Sequence, residues 1–315
     1  FRSQSLRLNS EITLYPETFT NSTNLVIYTN DENNLYTESG ITYNKNSRNV
    51  VYMNPNTVDN IINVPDFISS IYPDMYVNLN KVNRVLINDG VIRISTKGFY
   101  NCSFSYVRIS KTVSTIEEGA FTNCDSLKTI EIAEDNSYFS NYQSDGIVYN
   151  KALNKLVMVP PGLESLQLPS TLEEISTMSF NDCSKLTTII LPETVNTIQN
   201  ETFVGTASNV NIYYCGNGLK DLKDYKLFDS NQSATIHILD SYKGYDLSEF
   251  APTKSDASDK CFGSNDFDDS NSTTIIIIVV VVVVVLLLVA GIVFYVLKFK
   301  KDDESSSIGE FKEYP

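Results

Sequence analysis

Residues 168–213 spell one unit twice: LPSTLEEISTMSFNDCSKLTTII, which ends at Ile190, is followed at once by LPETVNTIQNETFVGTASNVNIY. Each copy has 23 residues, opens on leucine-proline, and carries a phenylalanine at the same place, Phe180 and Phe203. A fixed period in the twenties is typical of a solenoid, in which each unit buries its apolar face against its neighbours. This stretch therefore predicts a repeat protein.

The same pattern extends in both directions from the double repeat. It reads apolar-x-x-apolar-x-apolar, then a turn, then apolar-x-x-Ile-x4-Phe, and the spacing of two that closes its first part is typical of a short strand. The predicted strands lie in residues 82–87, 104–109, 127–132, 163–168 and 186–191, with weaker copies near residues 25–27, 61–64, 212–214 and 236–238.

Two insertions interrupt this ladder, and they resemble each other. GITYNK at residues 40–45 and GIVYNK at residues 146–151 are each followed by a short apolar run and a proline. Each reads as two strands joined by a polar turn, which predicts two β-hairpin inserts.

Alternation along each predicted strand assigns its side chains to the two faces of the sheet. The flanking apolar residues point into the core, and the residue between them points to the open face. The candidate ligand-face residues are Arg108, Glu131, Gln167, Ile190, Tyr213 and His237. Tyrosine and arginine often anchor protein interfaces, although these residues are also compatible with a face that merely coats the sheet. The Ile-x4-Phe segments on the opposite side predict a turn of helix or 3₁₀-helix.

The C-terminal part predicts a membrane anchor. Residues 251–273 are acidic and rich in serine and aspartate, which predicts a disordered stalk. The 23 residues from Ile275 to Leu297 carry no charge and as a helix would span roughly 34 Å, enough for the lipid core. Lysines open the segment that follows, so the positive-inside rule predicts a short cytoplasmic tail at residues 298–315 and an extracellular N-terminus in a single-pass plasma-membrane protein. Because the sequence begins at Phe1, we expect a signal peptide to have been removed or to lie outside it.

The five cysteines fall into two groups. Cys102, Cys124 and Cys183 each follow a repeat phenylalanine by three residues and predict a column of small buried side chains, with a Cys102–Cys124 bridge left open. Cys215 and Cys261 lie outside the repeat frame and are a candidate disulfide in an oxidising compartment.

Glycosylation sequons give a further set of candidates in an extracellular chain. The candidate N-glycosylation sites are Asn21, Asn200, Asn231 and Asn271. Asn101 also lies in a sequon, but it precedes a predicted core cysteine and is expected to be less accessible.

The repeats LTTIILPETVNTIQNETF, from residue 186, and VSTIEEGAFTNCDSLKTIEI, from residue 113, resemble the BspA-like leucine-rich-repeat family. The resemblance implies a leucine-rich-repeat solenoid of the β-rich α/β class, with short parallel strands on the concave face, helical turns on the convex face, two hairpin inserts and one transmembrane helix. The ectodomain is then expected at residues 1–250, with an irregular N-cap at 1–24 and a C-cap at about 215–250.

The composition excludes several classes of function. A formal charge of −14 without a long basic cluster in the ectodomain argues against nucleic acid. The single histidine, His237, and the absence of Gly-x-Ser-x-Gly, of zinc-ligand spacing and of phosphate-binding loops predict no catalytic residue, cofactor or metal. The sequence thus predicts a protein that is not an enzyme.

The family resemblance implies a cell-surface adhesin or receptor. Its expected partners are a host cell-surface or extracellular-matrix protein or glycoprotein, or other microbial cells, with the lipid bilayer as the anchor. The alternatives are an endocytic or signalling receptor that acts through the short tail, and a non-enzymatic surface antigen or coat protein.

Overall fold

The computed structural model describes residues 4–8, 25–29, 34–53, 59–220, 222, 225–230, 232–247 and 257–262. Residues 4–8, 25–29, 51, 52 and 262 are described by their backbone alone. Residues Phe1–Cys261 form one unit, and Phe262–Pro315 form a second. The predicted membrane span and tail lie outside the described residues.

The elements in chain order are β1 (Gln4–Leu8), β2 (Leu25–Thr29), β3 (Leu35–Glu38), β4 (Ile41–Asn44), β5 (Asn49–Met53), β6 (Ile61–Val64), β7 (Ser70–Ile71), β8 (Tyr76–Val77), β9 (Arg84–Ile87), β10 (Arg93–Ile94), β11 (Phe99–Tyr100), β12 (Tyr106–Ile109), β13 (Thr115–Ile116), β14 (Thr129–Ile132), β15 (Phe139–Ser140), β16 (Val148–Asn150), β17 (Lys155–Met158), β18 (Glu174–Ile175), β19 (Thr188–Leu191), β20 (Thr197–Ile198), β21 (Asn211–Tyr214), β22 (Thr235–Ile238) and α1 (Ser258–Phe262).

The longer strands stack as two parallel sheets. One has the order β14-β12-β9-β6, and the other has the order β19-β21-β22. Ile61 pairs with Arg84, Arg84 with Tyr106, and Tyr213 with His237, so partners in neighbouring coils of these two sheets are 22 to 24 residues apart. The chain is therefore a β-solenoid of the leucine-rich-repeat type with parallel strands, which confirms the main fold prediction.

The opposite side of each coil differs from the prediction of helical turns. Two-residue strands follow the long ones there, in the order β13-β10-β7 and, later, as β18 and β20 beside the four-residue strand β17. The described Ile-x4-Phe segments contain turns and no helix. The third residue after each isoleucine has a positive φ, which ends a right-handed helical turn. These residues are Asp74 (56°), Lys97 (55°), Gly119 (66°), Met178 (52°) and Glu201 (57°).

Both predicted hairpins are present as parts of three-stranded antiparallel units, β3-β4-β5 and β15-β16-β17. In the second insert, asparagine side chains take the place of a neighbouring strand. The Nδ2 group of Asn136 donates to the Ser110 carbonyl at 2.9 Å. Asn141 accepts from the Ile132 N–H at 2.8 Å and donates to the Ile130 carbonyl at 2.9 Å.

The prediction of a strand at residues 163–168 is wrong, because the structure has no strand there. The backbone groups of β14 that would bond to it are already used, because the Ile130 N–H donates to the Gly146 carbonyl at 3.0 Å and Asn141 bonds to β14 next to it. In the described part of the solenoid, the open face of the strands is therefore divided into two separate runs. One lies on β6, β9, β12 and β14, and the other lies on β19, β21 and β22.

The core is divided in the same way, into two clusters of buried residues. In the first, the ring of Phe99 stacks on Tyr76 and Phe121 at centroid distances of 5.1 and 5.2 Å. In the second, Phe203 packs against Phe180 and Phe228 at 5.2 and 5.5 Å. Each ring thus fills the space between two coils, and the repeat phenylalanine joins coils into one core.

The three repeat cysteines, Cys102, Cys124 and Cys183, are free and buried. Cys215 and Cys261 form a disulfide across a sequence separation of 46 residues. Of the two bridges left open by the sequence, the structure therefore holds the one at the C-terminal end of the ectodomain.

The ends of the solenoid also differ from the predicted boundaries. In the expected irregular N-cap, Gln4–Leu8 pairs in parallel with Leu25–Thr29, so the strand pattern begins earlier. Ser258–Phe262 forms helix α1 within the predicted disordered stalk, and the first unit runs to Cys261 and not to residue 250. None of the helices in the described part of the chain has the length and apolar character needed to cross a bilayer.

We predict that Phe99→Ala lowers the free energy of unfolding by about 3–5 kcal/mol, because Phe99 is fully buried between two rings and its truncation leaves a cavity. Urea unfolding followed by circular dichroism measures this change. Tyr138→Ala removes a ring that is 54% exposed and should cost less than about 1 kcal/mol. Equal losses in the two variants would contradict the role given to the aromatic column.

Candidate ligand-binding face

The first run of strand face carries a cluster of polar side chains. Arg108 in β12 pairs in register with Glu131 in β14, and the Nε atom of Arg108 lies 3.2 Å from Oε1 of Glu131. About half of each side chain is exposed, so this ion pair contributes little to stability, on the order of 0–1 kcal/mol. Its two charges remain accessible to a partner.

Two neighbours extend this cluster. The guanidinium of Arg84 lies 4.2 Å from the centroid of the Tyr106 ring, and the Tyr106 hydroxyl donates a hydrogen bond to Glu131. Burial, followed by this bond to Glu131, raises the pKa of Tyr106, which keeps the hydroxyl protonated as a donor. We call Arg84, Tyr106, Arg108 and Glu131 the charged patch.

The second run of strand face is apolar and aromatic. Ile190 pairs with Tyr213, and Tyr213 pairs with His237, in three adjacent strands. The rings of Tyr213 and His237 stack with centroids 4.3 Å apart and planes inclined by 8°, and Ile190 is 38% exposed. We call Ile190, Tyr213 and His237 the aromatic patch.

The imidazole of His237 is held in place within this patch. Its Nε2 atom lies 3.0 Å from Oδ1 of Asn211, at hydrogen-bond distance. Burial lowers the pKa of His237, which favours the neutral ring at neutral pH. A neutral imidazole stacked on Tyr213 offers a flat, weakly polar surface with hydrogen-bonding edges.

The structure separates the predicted ligand-face residues into these two patches. Arg108 and Glu131 meet in one, and Ile190, Tyr213 and His237 meet in the other. Gln167 belongs to neither, since it is exposed on the irregular segment that replaces the expected strand.

Sequence reasoning missed Arg84 and Tyr106. Each stands two residues before the middle position of its strand, so the same alternation rule places it on the open face. The predicted ligand-face residues lie between apolar neighbours, whereas Arg84 and Tyr106 open their strands.

The face offers aromatic, apolar and charged side chains for contact. The part of the chain that the structure describes holds no group of three or more His, Cys, Asp or Glu side chains that could bind a metal ion. His237 stacks on a tyrosine and approaches an asparagine oxygen.

The sequons are distributed unevenly over the described chain. Asn200 is half-buried, and its Oδ1 atom accepts a hydrogen bond from the Lys226 N–H at 2.7 Å. Asn101 is exposed, contrary to the expectation, and its Nδ2 group donates to Asn78 at 2.6 Å. Asn21, Asn231 and Asn271 lie outside the described residues.

The sequence model of a family described as "BspA type Leucine rich repeat region" matches residues 58–158 and 161–277, in six copies. No curated protein matches the chain.

Solved structures with similarity to this chain include three bacterial proteins. A leucine rich cell surface protein from Faecalibacterium prausnitzii is 20% identical, with a TM-score of 0.43, over 61% of this chain and 56% of that chain. A leucine-rich repeat protein from Eubacterium ventriosum is 14% identical, with a TM-score of 0.38, over 59% and 68%. The pneumococcal vaccine antigen PcpA is 13% identical, with a TM-score of 0.24, over 66% and 88%. The match thus spans little more than half the length of the first of these proteins.

We predict that the pKa of His237 lies below 6.5, because its stacked ring is partly shielded from water. His237 is the only histidine, so its ring protons give an isolated NMR signal to follow through a pH titration. Tyr213→Ala exposes the imidazole and should return the pKa toward 6.5, whereas Tyr106→Ala, in the charged patch, should leave it unchanged. A wild-type pKa above 6.5 would refute this description of the aromatic patch.

Proposed function

Because the chain belongs to the family of BspA-type leucine-rich-repeat proteins, we propose that it is a non-enzymatic surface protein whose solenoid binds a protein or glycoprotein partner. The observation that carries this proposal is the Tyr213–His237 stack beside the exposed Ile190 on an open strand face. Aromatic anchors near the centre of a surface supply much of the energy of protein interfaces.

The aromatic patch is preformed by the pairing of its three strands. The three residues stand on paired strands, and the two rings already lie parallel before a partner arrives. Binding therefore costs little side-chain entropy, because these rotamers are fixed beforehand. A partner that covers Ile190 also removes apolar surface from water, which favours the complex.

The charged patch contributes differently. Arg108 and Glu131 are about half exposed and already paired, so covering them adds little net affinity. Exposed charges of this kind instead steer the approach of a partner and select its orientation. The two patches together give an anchor and a steering surface.

The location of the protein is part of this proposal. The uncharged run from Ile275 to Leu297, with an acidic flank before it and lysines after it, supports a single membrane span that holds the solenoid outside the cell. The proposed role is that of an adhesin or receptor for a host cell-surface or matrix protein, or for a protein of another microbe. The tail at residues 298–315 provides the test for an added endocytic or signalling role.

We predict that a soluble fragment of residues 1–262, which keeps Cys261, binds host cells, matrix proteins or other microbes, and that Tyr213→Ala with His237→Ala weakens this binding more than tenfold. The reason is the loss of the preformed aromatic anchor. Flow cytometry with the labelled fragment measures the change. The matched control is Tyr72→Ala, since Tyr72 is 49% exposed and lies outside the aromatic patch.

Binding that both variants retain equally, or no binding across the panel, would favour a coat protein without a specific ligand.

Removal of residues 298–315 from the full chain should leave adhesion intact, so that a loss of uptake alone would identify a receptor role for the tail. Surface labelling of intact cells supplies the control for location, and a wholly internal protein would contradict the proposal.

A further inference from the structure

A cleft lies at the carboxyl ends of the four parallel strands β6, β9, β12 and β14. The first insert, β3-β4-β5, forms its other wall, and the volume of the cleft is about 790 Å³. This cleft is distinct from the aromatic patch, and Arg108 connects it with the charged patch.

Two aromatic rings form the end of the cleft beside the insert. The rings of Tyr36 and Phe67 meet edge to face, with centroids 5.8 Å apart, and both residues are half-buried. The Tyr36 hydroxyl donates to Oε2 of Glu38 at 2.8 Å, and the amino group of Lys45 lies 5.9 Å from the centroid of the Tyr36 ring. The rings are therefore held in fixed positions but keep accessible surface.

The same end of the cleft carries a net negative charge, because Glu38 and Asp66 outnumber Lys45 there. The bond to Glu38, then burial, and the charges of Glu38 and Asp66 raise the pKa of Tyr36, and both carboxylates line the cleft. Within the described residues, neither Glu38 nor Asp66 takes part in a salt bridge. Two carboxylates beside two aromatic rings suit a guanidinium or ammonium group.

The far end of the cleft already holds a paired cation. The amino group of Lys111 lies 3.1 Å from Asp89 and 3.8 Å from Asp135, on the two adjacent coils. An incoming positive charge therefore competes with Lys111 for the carboxylates at the far end, whereas at the insert end it meets Glu38 and Asp66, which form no salt bridge within the described residues.

The cleft is elongated, because its floor follows four successive strand ends. Strands spaced by ~4.8 Å place these ends over about 14 Å, the length of about four extended residues. A polypeptide in extended conformation matches this length, and one of its side chains can reach the insert end.

We propose that this cleft binds an extended polypeptide segment of a partner and seats an arginine or lysine side chain of it between Tyr36, Phe67, Glu38 and Asp66. The carboxylates neutralise the cation, and the rings contact the apolar stem and the flat face of the group. The inference goes beyond the proposed function and does not depend on the aromatic patch.

A fluorescein-labelled hexapeptide that alternates serine and arginine is the probe, titrated with the full chain in detergent micelles and followed by fluorescence anisotropy. We expect saturable binding that is lost when citrulline, which has the same shape without the charge, replaces arginine. Glu38→Gln with Asp66→Asn should weaken binding about tenfold, and the exposed Asp66→Asn alone about threefold. Circular dichroism melting checks that each variant is folded.

The matched control is Glu118→Gln with Glu193→Gln, which changes the net charge equally at two exposed positions outside the cleft. It should alter binding less than twofold, and Tyr213→Ala with His237→Ala should alter it no more. No saturable binding, equal binding of the citrulline peptide, or an equal loss in the control pair would overturn the inference. Retained peptide binding in a protein that fails to bind cells would separate this site from the proposed function.

Discussion

The whole structure depends on the stacking of each coil on the next, since no coil encloses a core of its own. The fully buried residues of a strand, such as Val85 and Val107, and the ring of the repeat phenylalanine pack against their counterparts one coil away. Stability in such an array is mainly a sum of contacts between neighbours. The spacing of 22 to 24 residues between partners in the two parallel sheets is therefore set by packing, and the residues between the buried positions are free to differ.

This constraint also places the candidate binding residues. Because the backbones pair in register, the middle residues of successive strands lie side by side at ~4.8 Å, which brings Tyr213 over His237 and Arg108 beside Glu131. The second insert interrupts the row by taking the edge of β14, so that the face becomes two patches of different chemistry. The first insert builds a wall beside the strand ends, and a cleft results.

The sequence predicted the buried positions of the strands well, because the spacing of apolar residues indicates directly which side chains are buried. It wrongly placed Gln167 on a strand, since residues 163–168 keep the apolar spacing but have no free strand edge to join, and a hydrogen-bond partner is not encoded in hydrophobicity. It also predicted helical turns where left-handed residues such as Lys97 and Met178 stand, at positions that no glycine marks. The sequence predicted the charged patch only in part, because Arg84 and Tyr106 are the first residues of their strands and do not lie between two apolar neighbours.

We expect the strand face, and not another side of the solenoid, to meet the partner. A photoreactive benzoylphenylalanine at position 213, in place of Tyr213, compared with the same residue in place of Tyr72, tests it most directly in intact cells with bound partner. We predict a covalent adduct, seen as a mass shift on a gel, from position 213 and little or none from position 72. Adducts from position 72 alone, or equal adducts from both positions, would contradict it.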